Sequence, residues 1–267
     1  MPFHHDTHGS FYYRHWDCET PRAAVLLLHG FGEHSGHYHR FAAALVHANF
    51  DVWALDHVGH GLTGGISGRF DSIDQLSANA KSLAGLVRHL HSGLPLVICG
   101  HSLGGITAAS LALELRPEPV GIVLTGTPFE GLPVIGGEIE LIMSQDPSYL
   151  DALQHDAYKF DTGPAEPLLW EAISAKTKPL KTGLAQLRVP VLLINGQHDV
   201  FAPPALARAW AKTMPIASAI EIPGGYHDIP NDSSHRKVMS HVVAAIENWL
   251  SLATAKDSRV PAHPAVS

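Results

Sequence analysis

Gly100-His101-Ser102-Leu103-Gly104 follows the apolar run Leu96-Val97-Ile98-Cys99 and opens an apolar helical stretch. A serine flanked by glycines two residues away on each side, between a strand and a helix, is how a nucleophilic hydroxyl is exposed on a sharp turn. The backbone there passes so close to its neighbours that a Cβ at Gly100 or Gly104 would crowd it. The helix start aims free N–H groups and the positive end of its dipole at the serine, which favours negative charge developing there. The ordinary alternative is a Ser-Gly loop that merely caps a helix.

A serine needs a base, and the base needs a carboxylate to orient it. In a strand–turn–helix setting the chain order is serine, acid, histidine. After the apolar run Val189–Ile194 comes Asn195-Gly196-Gln197-His198-Asp199, which offers Asp199 at the C-terminal end of a strand. After the last such run comes Pro223-Gly224-Gly225-Tyr226-His227-Asp228, which offers His227 on a glycine turn. His198 and Asp228 are the competing residues. The first precedes the aspartate, and the second neighbours His227, so its side chain is expected to diverge. Two backbone N–H groups should hold the oxyanion. Leu103, which follows the serine, supplies one. Phe31, in the loop after Leu27-Leu28-His29-Gly30, supplies the other.

The elements that must position these groups are legible as alternating patterns. Continuous apolar runs at Ala23–Leu28, Val52–Leu55, Leu96–Cys99, Gly121–Leu124, Val189–Ile194 and Ala219–Ile222 read as buried strands, and Phe11–Trp16 reads as an edge strand. Between them Phe41–Ala48, Ile73–Leu90, Leu103–Leu115, Pro204–Met214 and Val238–Leu252 have helical spacing. Alternation of this kind predicts an α/β fold with a mostly parallel sheet flanked by helices. From Phe129 to Gly183 no buried strand is apparent, and Pro147, Pro164 and Pro167 cut the stretch into pieces. It reads as a helical insertion over the C-terminal edge of the sheet, because long connections are usually functional. A helix pair on the sheet flank is the alternative. The expected division is a core of residues 1–128 and 184–252, a cap of 129–183 and a fraying tail of 253–267.

The chain resembles the α/β-hydrolase superfamily and, within it, the monoacylglycerol lipase and lysophospholipase group. The resemblance rests on His29-Gly30-Phe31-Gly32-Glu33-His34-Ser35-Gly36, Leu55-Asp56-His57-Val58-Gly59-His60-Gly61, the Ser102 motif with Gly105, the Gly196–Asp199 turn and Tyr226-His227-Asp228-Ile229. It implies hydrolysis of esters with one long acyl chain, a helical cap forming an acyl tunnel, and two-step acyl transfer by Ser102, His227 and Asp199 without metal or organic cofactor. Leu141, Ile142, Met143, Leu168 and Ile173 are the cap residues expected to meet substrate. The run Ile139–Met143 could equally dock on a lipid surface, or be the buried face of a short helix. Two positions depart from the group's pattern: Leu62-Thr63-Gly64-Gly65 replaces an acidic loop position, and Asn79 stands where an aspartate is common. Lysophospholipase, general carboxylesterase and small-ester hydrolase are alternatives on the same residues. A non-catalytic hydrolase-like binding protein is a third class, disfavoured because nucleophile and base are both present.

Composition excludes other classes. Of 267 residues 45% are hydrophobic and 16% charged, ample for a core. The net charge of −7 and the lack of a basic tract argue against nucleic acid as a partner. No run approaches the ~20 apolar residues that span a bilayer, and no leader pattern opens the chain. Two cysteines, Cys18 and Cys99, cannot form a disulfide framework. A cytoplasmic enzyme with a small ester or lipid substrate and no obligate protein partner is the expectation. Histidine is unusual at 20, against 18 lysines and arginines together. His4, His5 and His8 lie in what reads as a polar leader. No zinc-ligand spacing appears, so scattered surface histidines are expected rather than a metal site.

Overall fold

The computed structural model describes residues 2–6, 9–131 and 141–257. The strands are β1 (Phe3–Asp6), β2 (Gly9–Trp16), β3 (Ala23–Leu28), β4 (Phe50–Leu55), β5 (Leu96–His101), β6 (Gly121–Thr125), β7 (Val191–Gly196) and β8 (Ala217–Ile222). The helices are α1 (His39–His47), α2 (Ile73–Leu90), α3 (Leu103–Glu114), α4 (Pro147–Gln154), α5 (Glu166–Leu184), α6 (Pro204–Ala211) and α7 (His235–Asp257). The described strands form one sheet in the order β1-β2-β4-β3-β5-β6-β7-β8. Pairs β1–β2 and β2–β4 are antiparallel, and all others are parallel. The α/β fold expected from the alternating pattern is the fold observed.

Strand alternation divides the core into two layers. On β3, Ala24, Leu26 and Leu28 face the apolar sides of α2, α3, α5 and α6. Ala23, Val25 and Leu27 face α1 and α7. Successive strand residues point to opposite faces, so a strand covered on both must be apolar throughout. Helix α2 illustrates the covering layer. Ser72 caps its start by accepting from the Gln75 N–H at 3.2 Å. Its Ile73, Leu76, Ala80, Leu83, Ala84 and Val87 then bury one face. Helix α3 is buried nearly all round.

Several expectations need correction. The leader is not merely polar: Phe3–Asp6 pairs with β2 in the register Phe3↔Tyr12, His4↔Phe11. Strand pairing supplied by a neighbour overrides a weak local signal. Strand β7 starts at Val191, after Pro190, whose carbonyl still accepts from the Ile122 N–H at 2.9 Å. The tail expected to fray is helical through Asp257, and residues 258–267 lie outside those described. Within 129–183, Pro147, Pro164 and Pro167 begin helical turns rather than break them, since proline is pre-set for the first helical position. Helix α5 also runs past Gly183 to Leu184. No helix among the described residues is long and apolar enough to cross a membrane. Cys18 and Cys99 are free thiols, both buried, and burial pushes the Cys99 thiol pKa well above its ordinary value.

Candidate active site

Strand β5 delivers Ser102 at φ 49° and ψ −116°, a backbone conformation L residues seldom adopt. The close packing inferred from the flanking glycines is observed. A Cβ on Gly100 would lie 2.2 Å from the Gly104 carbonyl oxygen, and one on Gly104 would lie 2.1 Å from that of Leu28. The Ser102 N–H is held by the Thr125 carbonyl at 3.0 Å.

The three side chains expected to converge do so. His227 Nε2 is 3.0 Å from Ser102 Oγ, and His227 Nδ1 is 2.9 Å from Asp199 Oδ1. A carboxylate only accepts, so Nδ1 carries the ring proton and Nε2 accepts from the serine hydroxyl. Asp199 is fixed from behind: the N–H groups of Phe201 and Ala202 donate to its Oδ1 at 3.0 and 2.9 Å. Burial alone would lower the His227 pKa. The charge and hydrogen bond of Asp199, with Asp228 and Glu33, outweigh it and hold the pKa above 6.5.

A second layer of polar groups, without an assigned role in the sequence reading, supports this site. Glu33 is buried and accepts from the Gly30 N–H at 2.8 Å, the Tyr38 hydroxyl at 2.6 Å and the Tyr149 hydroxyl at 2.8 Å. It thereby fixes the loop that presents Phe31. Burial would raise its pKa, but His101, His37 and the two tyrosines bring it below the ordinary value. Asp228 does diverge from His227. It lies 3.4 Å from His101 Nε2 and 3.2 Å from the Tyr149 hydroxyl. His198 stays outside, its ring packed near Tyr226. Glu33 stood in the quoted motif, but only the fold brings Tyr149 to it across 116 residues.

The expectation of scattered surface histidines fails here. His29, His57, His60, His101 and His227 are buried. His29 Nε2 accepts from the His57 N–H at 2.8 Å, so its Nδ1 proton goes to the Gly30 carbonyl at 2.8 Å. Burial, with neighbouring His57 and His60, holds the His29 pKa well below 6.5. Burial, with His60, lowers that of His57 to about 3. These rings are neutral packing and hydrogen-bonding units beneath the Phe31 loop. The divergent Leu62-Thr63 segment is integrated as well: Thr63 Oγ1 donates to the Asp56 carbonyl and accepts from the Tyr12 N–H.

The hydroxyl of Ser102 opens on a cavity of about 460 Å³. Phe31, Leu141, Met143, Leu153, Phe160, Leu169, Trp170, Ile173 and Phe201 supply apolar walls, and His227 and Tyr149 also line it. Of the cap residues expected to meet substrate, Leu141, Met143 and Ile173 line this space. Leu168 does not: it is 44% exposed and borders a separate groove with Phe70 and Asp74. Its neighbour Leu169 takes the inward place, because successive helical residues diverge by about 100°. Ile142 is half-buried outside the cavity lining. Leu141–Met143 is not helical, and Ile139 and Glu140 lie outside the described residues.

Residues 19–142 match the family described as "Serine aminopeptidase, S33". The chain is 27% identical over 257 residues to a monoacylglycerol lipase of Mycolicibacterium smegmatis, covering 88% of this chain and 92% of that protein. The structure of a monoacylglycerol lipase from Paleococcus ferrophilus superposes with a TM-score of 0.73 at 23% identity, covering 90% of this chain and 98% of the other. That of a thermostable carboxyl esterase from Bacillus coagulans, in complex with glycerol, gives 0.77 at 20% identity, covering 94% and 99%. The matching segment, the near full-length relative and the shared fold agree: the chain has the α/β-hydrolase fold and is similar in sequence to monoacylglycerol lipases.

Proposed function

We propose that this protein is a serine hydrolase that cleaves carboxylic esters carrying one acyl chain, with a monoacylglycerol as its substrate class. The observation that carries the reading is the continuous relay from Asp199 through His227 to Ser102, 2.9 and 3.0 Å between its members, opening directly on an apolar cavity. About 300–1,000 Å³ is typical of small-molecule sites, and this cavity falls within that range.

In the proposed cycle His227 Nε2 takes the Ser102 proton as Oγ attacks the ester carbonyl carbon. Asp199 keeps the proton on Nδ1 and stabilises the imidazolium. The N–H groups of Leu103 and Phe31 hold the oxyanion. His227 then gives its proton to the departing glycerol oxygen, which leaves an acyl group on Ser102. Water, deprotonated by the same ring, attacks that acyl carbon and releases the fatty acid. The insert between β6 and β7 acts as a cap whose inner residues, Leu141, Met143, Leu169, Trp170 and Ile173, receive the chain. Leu141, Leu150, Tyr158 and Leu168 are exposed on this cap, which supports transient contact with a lipid surface. The likeness to a carboxyl esterase favours a second reading, a small-ester hydrolase on the same residues.

A product assay tests the choice. Monoacylglycerol, lysophospholipid, triacylglycerol and nitrophenyl esters of graded length are offered to the wild type and to Ser102→Ala. Monoacylglycerol turnover rising with chain length and vanishing in the variant is the expected result. A peak at acetate or butyrate gives the esterase reading instead. Failure of a fluorophosphonate probe to label the folded protein overturns both.

A further inference from the structure

Two histidines and an aspartate that take no part in the relay meet at the other end of the sheet. His15 lies on β2, Asp51 is the second residue of β4, and His91 follows the last turn of α2. Asp51 pairs with Ala24, which pairs with Leu96 on β5. Leu96 precedes Ser102 by six residues, so at ~3.3 Å per residue the cluster sits about 20 Å from the nucleophile.

The Asp51 side chain is fully buried. From behind, the Cys18 N–H donates to its Oδ1 at 3.1 Å and the Trp53 Nε1–H to its Oδ2 at 2.5 Å. Toward the surface, His15 Nε2 stands 2.9 Å from Oδ1 and 3.1 Å from Oδ2, and His91 Nε2 stands 3.5 Å from Oδ2. One ligand atom from each residue can be chosen so that all lie within 4.8 Å of one another. Ligands around a tetrahedral zinc with bonds of 2.0–2.2 Å are separated by about 3.4 Å, and the contacts to Asp51 bracket that value. The His15 ring stacks on Trp53 at 3.7 Å, and His91 packs edge-on to both. Both rings keep about a quarter of their side-chain surface in water.

We propose that His15, Asp51 and His91 form a binding site for a divalent transition metal of the zinc type, separate from the catalytic centre. Two imidazoles and one carboxylate suit zinc rather than calcium or magnesium, which take all-oxygen shells. The backbone and indole donors on Asp51 are the outer hydrogen bonds that orient a ligating carboxylate. Asp17, 4.0 Å from His15 Nε2 and largely exposed, or a water completes the fourth position. On binding, a neutral ring keeps its one proton, now on Nδ1, and leaves the Nε2 lone pair to the metal, while an imidazolium first releases one proton to solvent. The metal would join β2, β4 and the end of α2. A second histidine pair on a shared aspartate away from the relay, His34 and His37 with Asp156, is built differently. There the Gly36 N–H donates to His34 Nδ1, so the neutral His34 ring keeps its proton on Nε2, toward Asp156, where a metal would have to bind.

The test is calorimetric titration of zinc chloride into chelator-treated full-length protein, with thermal unfolding followed in parallel. The variants are His15→Gln, His91→Gln and, as the contrast, His34→Gln. Asp51→Asn is avoided because it alters a buried group. Expected is one tight equivalent per chain that raises the unfolding midpoint by several degrees. Its affinity should fall by at least about 10–100-fold in the His15 and His91 variants and stay unchanged in His34→Gln. Wild-type binding no tighter than that of His91→Gln, or a tight equivalent lost with His34 instead, overturns the proposal.

Discussion

Around Leu28, Gly100–Gly104 and Thr125 the polypeptide has almost no room to move, whereas the insertion between β6 and β7 is held to the core largely by side chains at separate points. In the first region backbone lies on backbone: Gly100 touches Gly104, Gly104 touches Leu28, and the Ser102 N–H is bonded to Thr125. In the second, Tyr149 reaches Glu33, Asp156 accepts from both His34 and His37 at 3.0 Å, Arg40 pairs with Asp146 at 2.7 Å, and Lys176 pairs with Asp74. The proposed nucleophile sits where backbone packs on backbone, and the proposed selectivity sits where side-chain contacts can be exchanged. Disturbance of the first region should therefore change rate and folding, and disturbance of the second should change substrate preference and affinity.

The largest expected effect is loss of the nucleophile. Ser102→Ala should reduce turnover by about 10⁶-fold, and Asp199→Asn by about 10⁴-fold, both with an unchanged circular dichroism spectrum. Retained hydrolysis in Ser102→Ala would remove the core's claim to the chemistry. Gly104→Ala comes next. Its Cβ would meet the Leu28 and His29 carbonyl oxygens at 2.1 and 2.5 Å. A loss of about 3 kcal/mol or more is expected in urea unfolding, since neither partner is a flexible side-chain tip.

Proton linkage gives two further tests. His227 must be neutral to act as a base, and its pKa is raised above 6.5. The acid limb of kcat/KM should then bend above pH 6.5 and fall tenfold per unit below the bend; a bend at or below 6.5 contradicts the Asp199 contribution. His29 and His57 are depressed in the folded state, His57 to about 3. The unfolded chain thus binds more protons below pH 6.5, and stability should drop as pH falls from there toward 3, by about 1.4 kcal/mol per unit for each such ring. His227 contributes in the opposite sense: its share is full below 6.5 and lost as pH rises through its folded pKa. A thermal midpoint flat between pH 7 and 5 would contradict this. The smallest effect belongs to the cap. Asp156→Asn keeps the shape and weakens the pull on His34 and His37, so KM should change a few-fold with kcat intact; an equal fall in kcat would erase the contrast between the two regions.

The sheet was readable because a strand covered on both faces must be apolar at every position, as Ala23–Leu28 is. The relay was readable because a serine in a glycine turn, with an acid and a histidine in fixed chain order, has few other uses. The cap was less so. Leu168 and Leu169 are the same residue type side by side, and only the phase of α5 decides which faces inward. The histidines misled for a related reason. Composition counts titratable rings, while burial decides whether they titrate, and His57 is buried by residues distant in sequence. Strand β1 escaped because four residues carry too little pattern without β2 beside them. Glu33 could be seen but not interpreted, since two of its three partners, Tyr38 and Tyr149, are brought to it only by folding.

Ser102 at φ 49° has one more consequence. A non-glycine residue in such a conformation costs on the order of 1–3 kcal/mol, and glycine adopts it freely. The nucleophile is thus a standing burden on the fold, and the sturdiest form of this chain is one with no hydroxyl at position 102 and nothing left to catalyse. Durability and activity pull in opposite directions at this one residue, so a search for thermostable variants that did not also screen for turnover would drift toward inert protein.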